Sequence, residues 1–88
     1  MLLGKIVGNV TATRKQETLT GFKFLLIQPR TQQGGNDASL GALFVAVDLM
    51  GAGPGEEVII ATGHAARIAV GREDLPVDAA VIGIVDQG

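Results

Sequence analysis

The 88-residue sequence predicts a mainly β fold: a small OB-like β-barrel or sandwich of about five short strands with one short helix, in a single domain over residues 1–88. Three observations carry this. Short runs of Val, Ile and Leu recur between polar, glycine-containing stretches. Hydrophobic residues make up 47% of the chain while aromatics make up only 3%, so the apolar content is almost all Val, Ile, Leu and Ala. One segment only, "HAARIAV", has helix-forming composition closed by a glycine.

Taken in order, Leu2 to Thr13 reads as a half-buried strand, with Ile6, Gly8, Val10 and Ala12 on one face and Lys5, Asn9 and Thr11 on the other. "RKQETLTG", Arg14 to Gly21, is the turn that returns the chain into a second strand, Phe22 to Pro29, and the two form a hairpin. In that second strand Leu25, Leu26 and Ile27 are apolar on both faces, which requires cover on both sides. Arg30 to Gly41 is polar and glycine-containing and reads as a long surface loop. A third strand runs from Leu43 to Asp48 and a fourth from Glu57 to Thr62. His64 to Val70 forms the helix, with Gly71 as its C-terminal cap. The last strand falls in Pro76 to Asp86, again apolar on both faces from Ala80 to Val85. No internal repeat or low-complexity tract is present.

The totals exclude several function classes. With no cysteine, disulfides and thiolate metal sites are out. A net charge of −2 and a pI near 5.1 provide no basic footprint for nucleic acid. No apolar run reaches the roughly 18 residues of a membrane-spanning helix, and "MLLGKIVG" lacks the apolar length of a secretory leader, so a cytosolic location is expected. A chain this small buries a modest fraction of its surface, so its aliphatic surplus is expected to meet another subunit.

Two features invite a chemical reading. "GAGPGE", Gly51 to Glu56, resembles a dinucleotide loop, but Glu56 stands where the third glycine belongs and a strand follows instead of a helix. It reads instead as a tight turn with glycines supplying positive φ and Pro54 presetting one dihedral. His64, the only histidine, is the natural starting point for a general base, with Asp48, Asp78 or Asp86 as orienting carboxylate and Ser39 or a threonine hydroxyl as nucleophile. No nucleophile elbow surrounds Ser39, and a helix-start or surface histidine is the simpler reading. An OB-like binding module for nucleic acid or an anionic ligand is the alternative to a structural role. It lacks Trp and Tyr platforms, and its basic cluster is limited to Arg14, Lys15 and Lys23.

Five stretches together carry a family resemblance. They are "GKIVGNVTATRK" with Lys5, Gly8 and Lys15; "LTGFKFLLIQ" with Leu19, Gly21 and Lys23; and "VAVDLMGAGPGEEVII" with Asp48, Gly51, Ala52 and Gly53. To these add "GHAAR" with Gly63, Ala66 and Arg67, and "PVDAAVIGIVD" with Pro76, Asp78, Ala79 and Asp86. In this order and spacing the chain resembles the EutN/CcmL family, the pentameric vertex proteins of bacterial microcompartment shells, including carboxysomes. The resemblance implies a ring of five small β-barrels at the vertices of a polyhedral shell in the bacterial cytoplasm. It implies a structural and non-enzymatic role, no cofactor, and hexameric and trimeric shell proteins as partners. A head-to-tail interface whose rotation closes produces such a ring. Members commonly carry a serine after the glycine of the "GHAAR" stretch, where this chain has His64. The resemblance therefore makes Gly63 and His64 candidates for lining a central opening. The polar loop, with Arg30, Gln32, Asn36 and Asp37, is the candidate contact with neighbouring shell proteins. The chain stops at Gly88, just past the last strand, and no C-terminal extension is expected.

Overall fold

Leu2–Val10 forms strand β1, the longest in the chain, and its inward face is Gly4 and Ile6. In the computed structural model, residues 1–12, 15–30, 41–72 and 74–86 are described. A short 3-10 turn at Glu17–Leu19 leads into β2, Phe24–Arg30. Then come β3, Phe44–Asp48; β4, Glu57–Thr62; helix α1, His64–Val70; and β5, Ala79–Ile84. The five strands close into a barrel in the order β1-β2-β3-β5-β4. All pairs are antiparallel except β3 with β5, where the parallel ladder is only two residues long, Val47 against Ala80 and Asp48 against Val81.

The expected hairpin is present, with Val10 opposite Phe24 and Leu3 opposite Arg30, and a register shift between Ile6 and Gly8. β2 begins two residues later and ends one later than the sequence suggests. Pro29, which cannot donate to a ladder, is tolerated because β3 accompanies β2 only as far as Ile27, so beyond it β1 is the sole neighbouring strand among the described residues. The fourth strand and the helix have the expected limits, and Gly71, at φ 90°, accepts the left-handed cap conformation that a Cβ would disfavour.

Two apolar clusters lie on the two sides of the barrel wall, and Leu26 of β2 belongs to neither. Inside the barrel, Ile6, Leu25, Ile27, Val58, Ile60 and Val81 are fully buried. Outside it, Ala61, Ala80 and Val47 are covered by the chain's own Ala66, Leu75 and Val77, with Phe22 and Phe24 packed alongside. The apolar outer face of β5 at Ala80 is therefore covered from within the protomer and does not require a neighbour. The two phenylalanines belong to this outer layer, not to the barrel interior.

Candidate functional site

The glycine-rich stretch contains the expected tight turn within a longer crossing. β3 and β4 are not neighbours in the barrel, so the chain between them crosses the barrel's end. Leu49 donates its amide to the Val81 carbonyl of β5, and six residues later Gly55 donates to the Ile6 carbonyl of β1, with Glu56 accepting from the Ile6 amide. Between these anchors Ala52 is buried as part of the barrel core and plugs its floor. Gly53 to Glu56 closes with a 3.2 Å hydrogen bond, with Pro54 and Gly55 (φ 91°) in the central positions of a type II turn. The Glu56 side chain accepts from the Gly53 amide at 2.8 Å. A carboxylate thus holds the amide that a phosphate would need.

Asp48 organises the start of the crossing. Its Oδ1 accepts from the amides of Met50 (2.9 Å) and Gly51 (3.1 Å), and its side chain is only 2% exposed. Lys23 lies across it, with Nζ 3.9 Å from Asp48 Oδ2, and donates to the Ala52 carbonyl at 3.0 Å. The Asp48 amide in turn donates to the Lys23 carbonyl. Lys23, Asp48 and Gly51 form one clasp that fastens the floor to the start of β2, while the Gly53 amide is held by Glu56 within the same loop.

The remaining residues singled out in the sequence are dispersed. Lys15 and Gly21 are exposed near the β1–β2 connection, with Gly21 at φ 92°. Ala66 is fully buried beneath α1, and Arg67 Nη1 reaches the Val77 carbonyl at 3.5 Å. Gly63, at φ 61°, is the N-terminal cap of α1, and His64 is exposed at the helix start, as the composition suggested. Pro76 and Asp78 are exposed on either side of the buried Val77. Arg30 is held in a 3.2 Å ion pair with Glu57 on the barrel wall, both side chains mostly buried, so this proposed contact residue is already engaged. Gln32, Asn36, Asp37 and Ser39 lie outside the described residues.

The carboxylate of Asp48 is committed to the floor, and among the described residues no group of three His, Asp or Glu side chains could hold a metal ion. No described helix is long and apolar enough to cross a membrane. Gly4, Val45 and Glu57 are structurally prominent residues that sequence reasoning did not single out. The first two carry no pattern beyond a strand position, whereas the Arg30–Glu57 pair joins residues 27 apart and has no local signature.

A profile described as "Ethanolamine utilisation protein EutN/carboxysome" matches residues 1–86. The chain belongs to the EutN/CcmL family. It is 44% identical over 86 residues to the bacterial microcompartment shell vertex protein GrpN of Rhodospirillum rubrum, covering 98% of this chain and 93% of that one. It is 42% identical to the carboxysome shell vertex protein CcmL of Thermosynechococcus vestitus, covering 98% and 84%. Among solved structures, the pentameric GrpN shell protein from Rhodospirillum rubrum superposes with a TM-score of 0.85 at 42% identity, covering 99% of this chain and 95% of that one. An ethanolamine utilisation protein EutN superposes at 0.91 with 39% identity, covering 100% and 88%. The closed barrel with its outer helix is thus the architecture that this EutN/CcmL chain shares with these proteins.

Proposed function

We propose that this EutN/CcmL chain is a structural protein that forms homopentamers at the vertices of a bacterial microcompartment shell. What carries the reading is the match to shell vertex proteins over nearly the whole length of both chains, including a relative solved as a pentamer. The physical role is closure. A flat sheet tiled by hexagons has no curvature, and replacing a six-fold unit by a five-fold one removes a wedge and forces the sheet to bend. The partners are then hexameric and trimeric shell proteins of the same compartment, and the chain performs no catalysis. The floor clasp supports this reading, because it spends its charged groups on rigidity and leaves none converging on a substrate.

Co-expression with hexameric shell proteins tests it. Closed polyhedra in electron micrographs are expected with the chain, and open or tubular shells without it. Closed shells in its absence, with no other vertex protein present, would sink the proposal. Gly63 and His64 are proposed to face the central opening of the ring. Because the chain has no cysteine, His64→Cys introduces a unique thiol, and a short bis-maleimide should join adjacent copies. Failure to crosslink in an intact ring places His64 away from the axis. Contact with the surrounding shell through residues Arg30, Gln32, Asn36 and Asp37 is tested by whether charge reversal at Asp37 weakens incorporation.

A further inference from the structure

The barrel is not sealed along its whole height. β3 pairs with β2 from Phe44 to Val47, but with β5 only at Val47 and Asp48, so the first half of β3 parts from the chain that leads into β5. Two recesses follow this opening. One, of about 200 Å³, is lined by Leu19, Phe24, Val45, Pro76 and Val77 among others. The other, of about 540 Å³, is lined by Leu2, Phe44, Val45, Thr62 and Gly63 together with Asp78 and Ala79. They share Val45, Asp78 and Ala79, and so form one continuous apolar seam.

The seam brings exposed apolar side chains into a concave surface. Val45 at its centre is 44% exposed, with Leu2 in its wall also exposed. Elsewhere the exposed large aliphatics, such as Val7 on β1 and Ile68 on α1, line neither recess. Among the described residues Asp78 is the only charged one lining either recess. A small polar ligand needs several converging hydrogen-bonding groups to orient it, and here the side chains of the described residues offer only Thr62 and Asp78. A concave, mostly apolar strip has the character of an interface core instead.

We propose that the seam between β3 and β5 is the acceptor half of the contact between copies of this chain, with Val45 at its centre and a second copy as its occupant. The inference rests on the homopentameric reading. In a head-to-tail ring each copy presents one acceptor and one different donor surface, so a single seam per protomer suffices to continue the ring until it closes. It also accounts for the open ladder: strand edges left unpaired are otherwise sites of uncontrolled association, and a neighbour seated on the seam covers them.

The test uses the full chain. By light scattering at micromolar concentration the unmodified protein is expected to show a mass of about 45 kDa, five times the 9.0 kDa protomer. Val45→Glu is expected to fall toward 9.0 kDa with an unchanged far-ultraviolet circular dichroism spectrum, while Ile68→Glu keeps the assembled mass. Single-cysteine variants do not depend on disrupting the ring. In assembled protein the thiol of Val45→Cys is expected to react with maleimide at least about tenfold more slowly than that of Ile68→Cys, as a covered position should. An assembled mass for Val45→Glu, or equal reactivity of the two thiols, overturns the seam. A monomeric unmodified protein instead overturns the homopentamer itself, so the two failures are distinguishable.

Discussion

Adding a single methyl group at Gly4 probes the barrel interior most sharply. Gly4 faces inward from β1, and a Cβ built there would lie 2.5 Å from Ile27 Cγ2, 2.7 Å from Ile60 Cδ1 and 3.3 Å from the Gln28 carbonyl oxygen. Carbon atoms in packed interiors sit about 3.5–4.0 Å apart, so the first two contacts are short by about an ångström each. Ile60 Cδ1 is the far end of a side chain and can rotate. Ile27 Cγ2 is fixed to a β-branched carbon with one favoured rotamer, and both isoleucines are fully buried. Overpacking of this kind costs about 1–3 kcal/mol. Gly4 is not among the glycines with positive φ, so alanine would also restrict the unfolded chain and return about 0.4–1 kcal/mol. Gly4→Ala should therefore destabilise by about 1–2 kcal/mol, lowering Tm by roughly 4–16 °C for a domain of this size.

Gly8 provides the control. It lies on the same strand, has ordinary φ, and a Cβ there would meet nothing within 4 Å, so Gly8→Ala should leave Tm unchanged or raise it slightly. Both are to be measured by thermal and urea unfolding at one fixed protomer concentration, since assembly adds concentration-dependent stability. Ile60→Val, which removes the offending Cδ1, should cost less in the Gly4→Ala background than in the unmodified chain. Equal Tm for Gly4→Ala and the unmodified protein would refute the steric reasoning.

Three further expectations follow from the charged groups. Asp48→Ala removes the acceptor of two amides and should destabilise by about 1–3 kcal/mol, while Asp48→Asn, which keeps one oxygen in place, should cost clearly less in the urea midpoint. The Arg30–Glu57 pair, at 3.2 Å and mostly buried, should show a coupling of about 1 kcal/mol in a double-mutant cycle with Arg30→Met and Glu57→Gln, at the upper end for partly exposed pairs. Arg72 donates a hydrogen bond to the exposed Asp74 and lies close enough to favour its charge, holding that carboxyl below its ordinary 3.8. The associated stabilisation is present above that value and is lost as pH falls through the lowered one. An NMR titration should therefore show Asp74 moving back toward 3.8 in Arg72→Gln.

Much of this fold was legible because short-range rules govern it. β4 and α1 have the limits read from composition, since Gly71 and Gly63 punctuate the helix and β-branched residues fill the strand. What the sequence concealed was long-range order. "GAGPGE" carries the marks of a tight turn, and Pro54–Gly55 does make one, yet the segment as a whole crosses the barrel because β5, last in the chain, inserts between β3 and β4. Two-sided apolarity was likewise ambiguous: Ala80 meets the chain's own outer layer, whereas Val45, on a strand with the same character, is left exposed. Only the fold separates surface the protomer covers for itself from surface it leaves for another. His64 was correctly placed at a helix start, but its relation and that of Gly63 to a ring axis is a property of five chains and cannot be read in one.

The floor built by Ala52 sets a limit on traffic. Small barrels fill their interiors with side chains, and here Ile6, Leu25, Ile27 and Ile60 occupy the lumen while the clasped crossing stops its end. No metabolite or ion threads an individual protomer. Whatever crosses a shell at one of these corners must pass where subunits meet, so permeability there depends on the spacing of neighbours and on the side chains they turn toward one another.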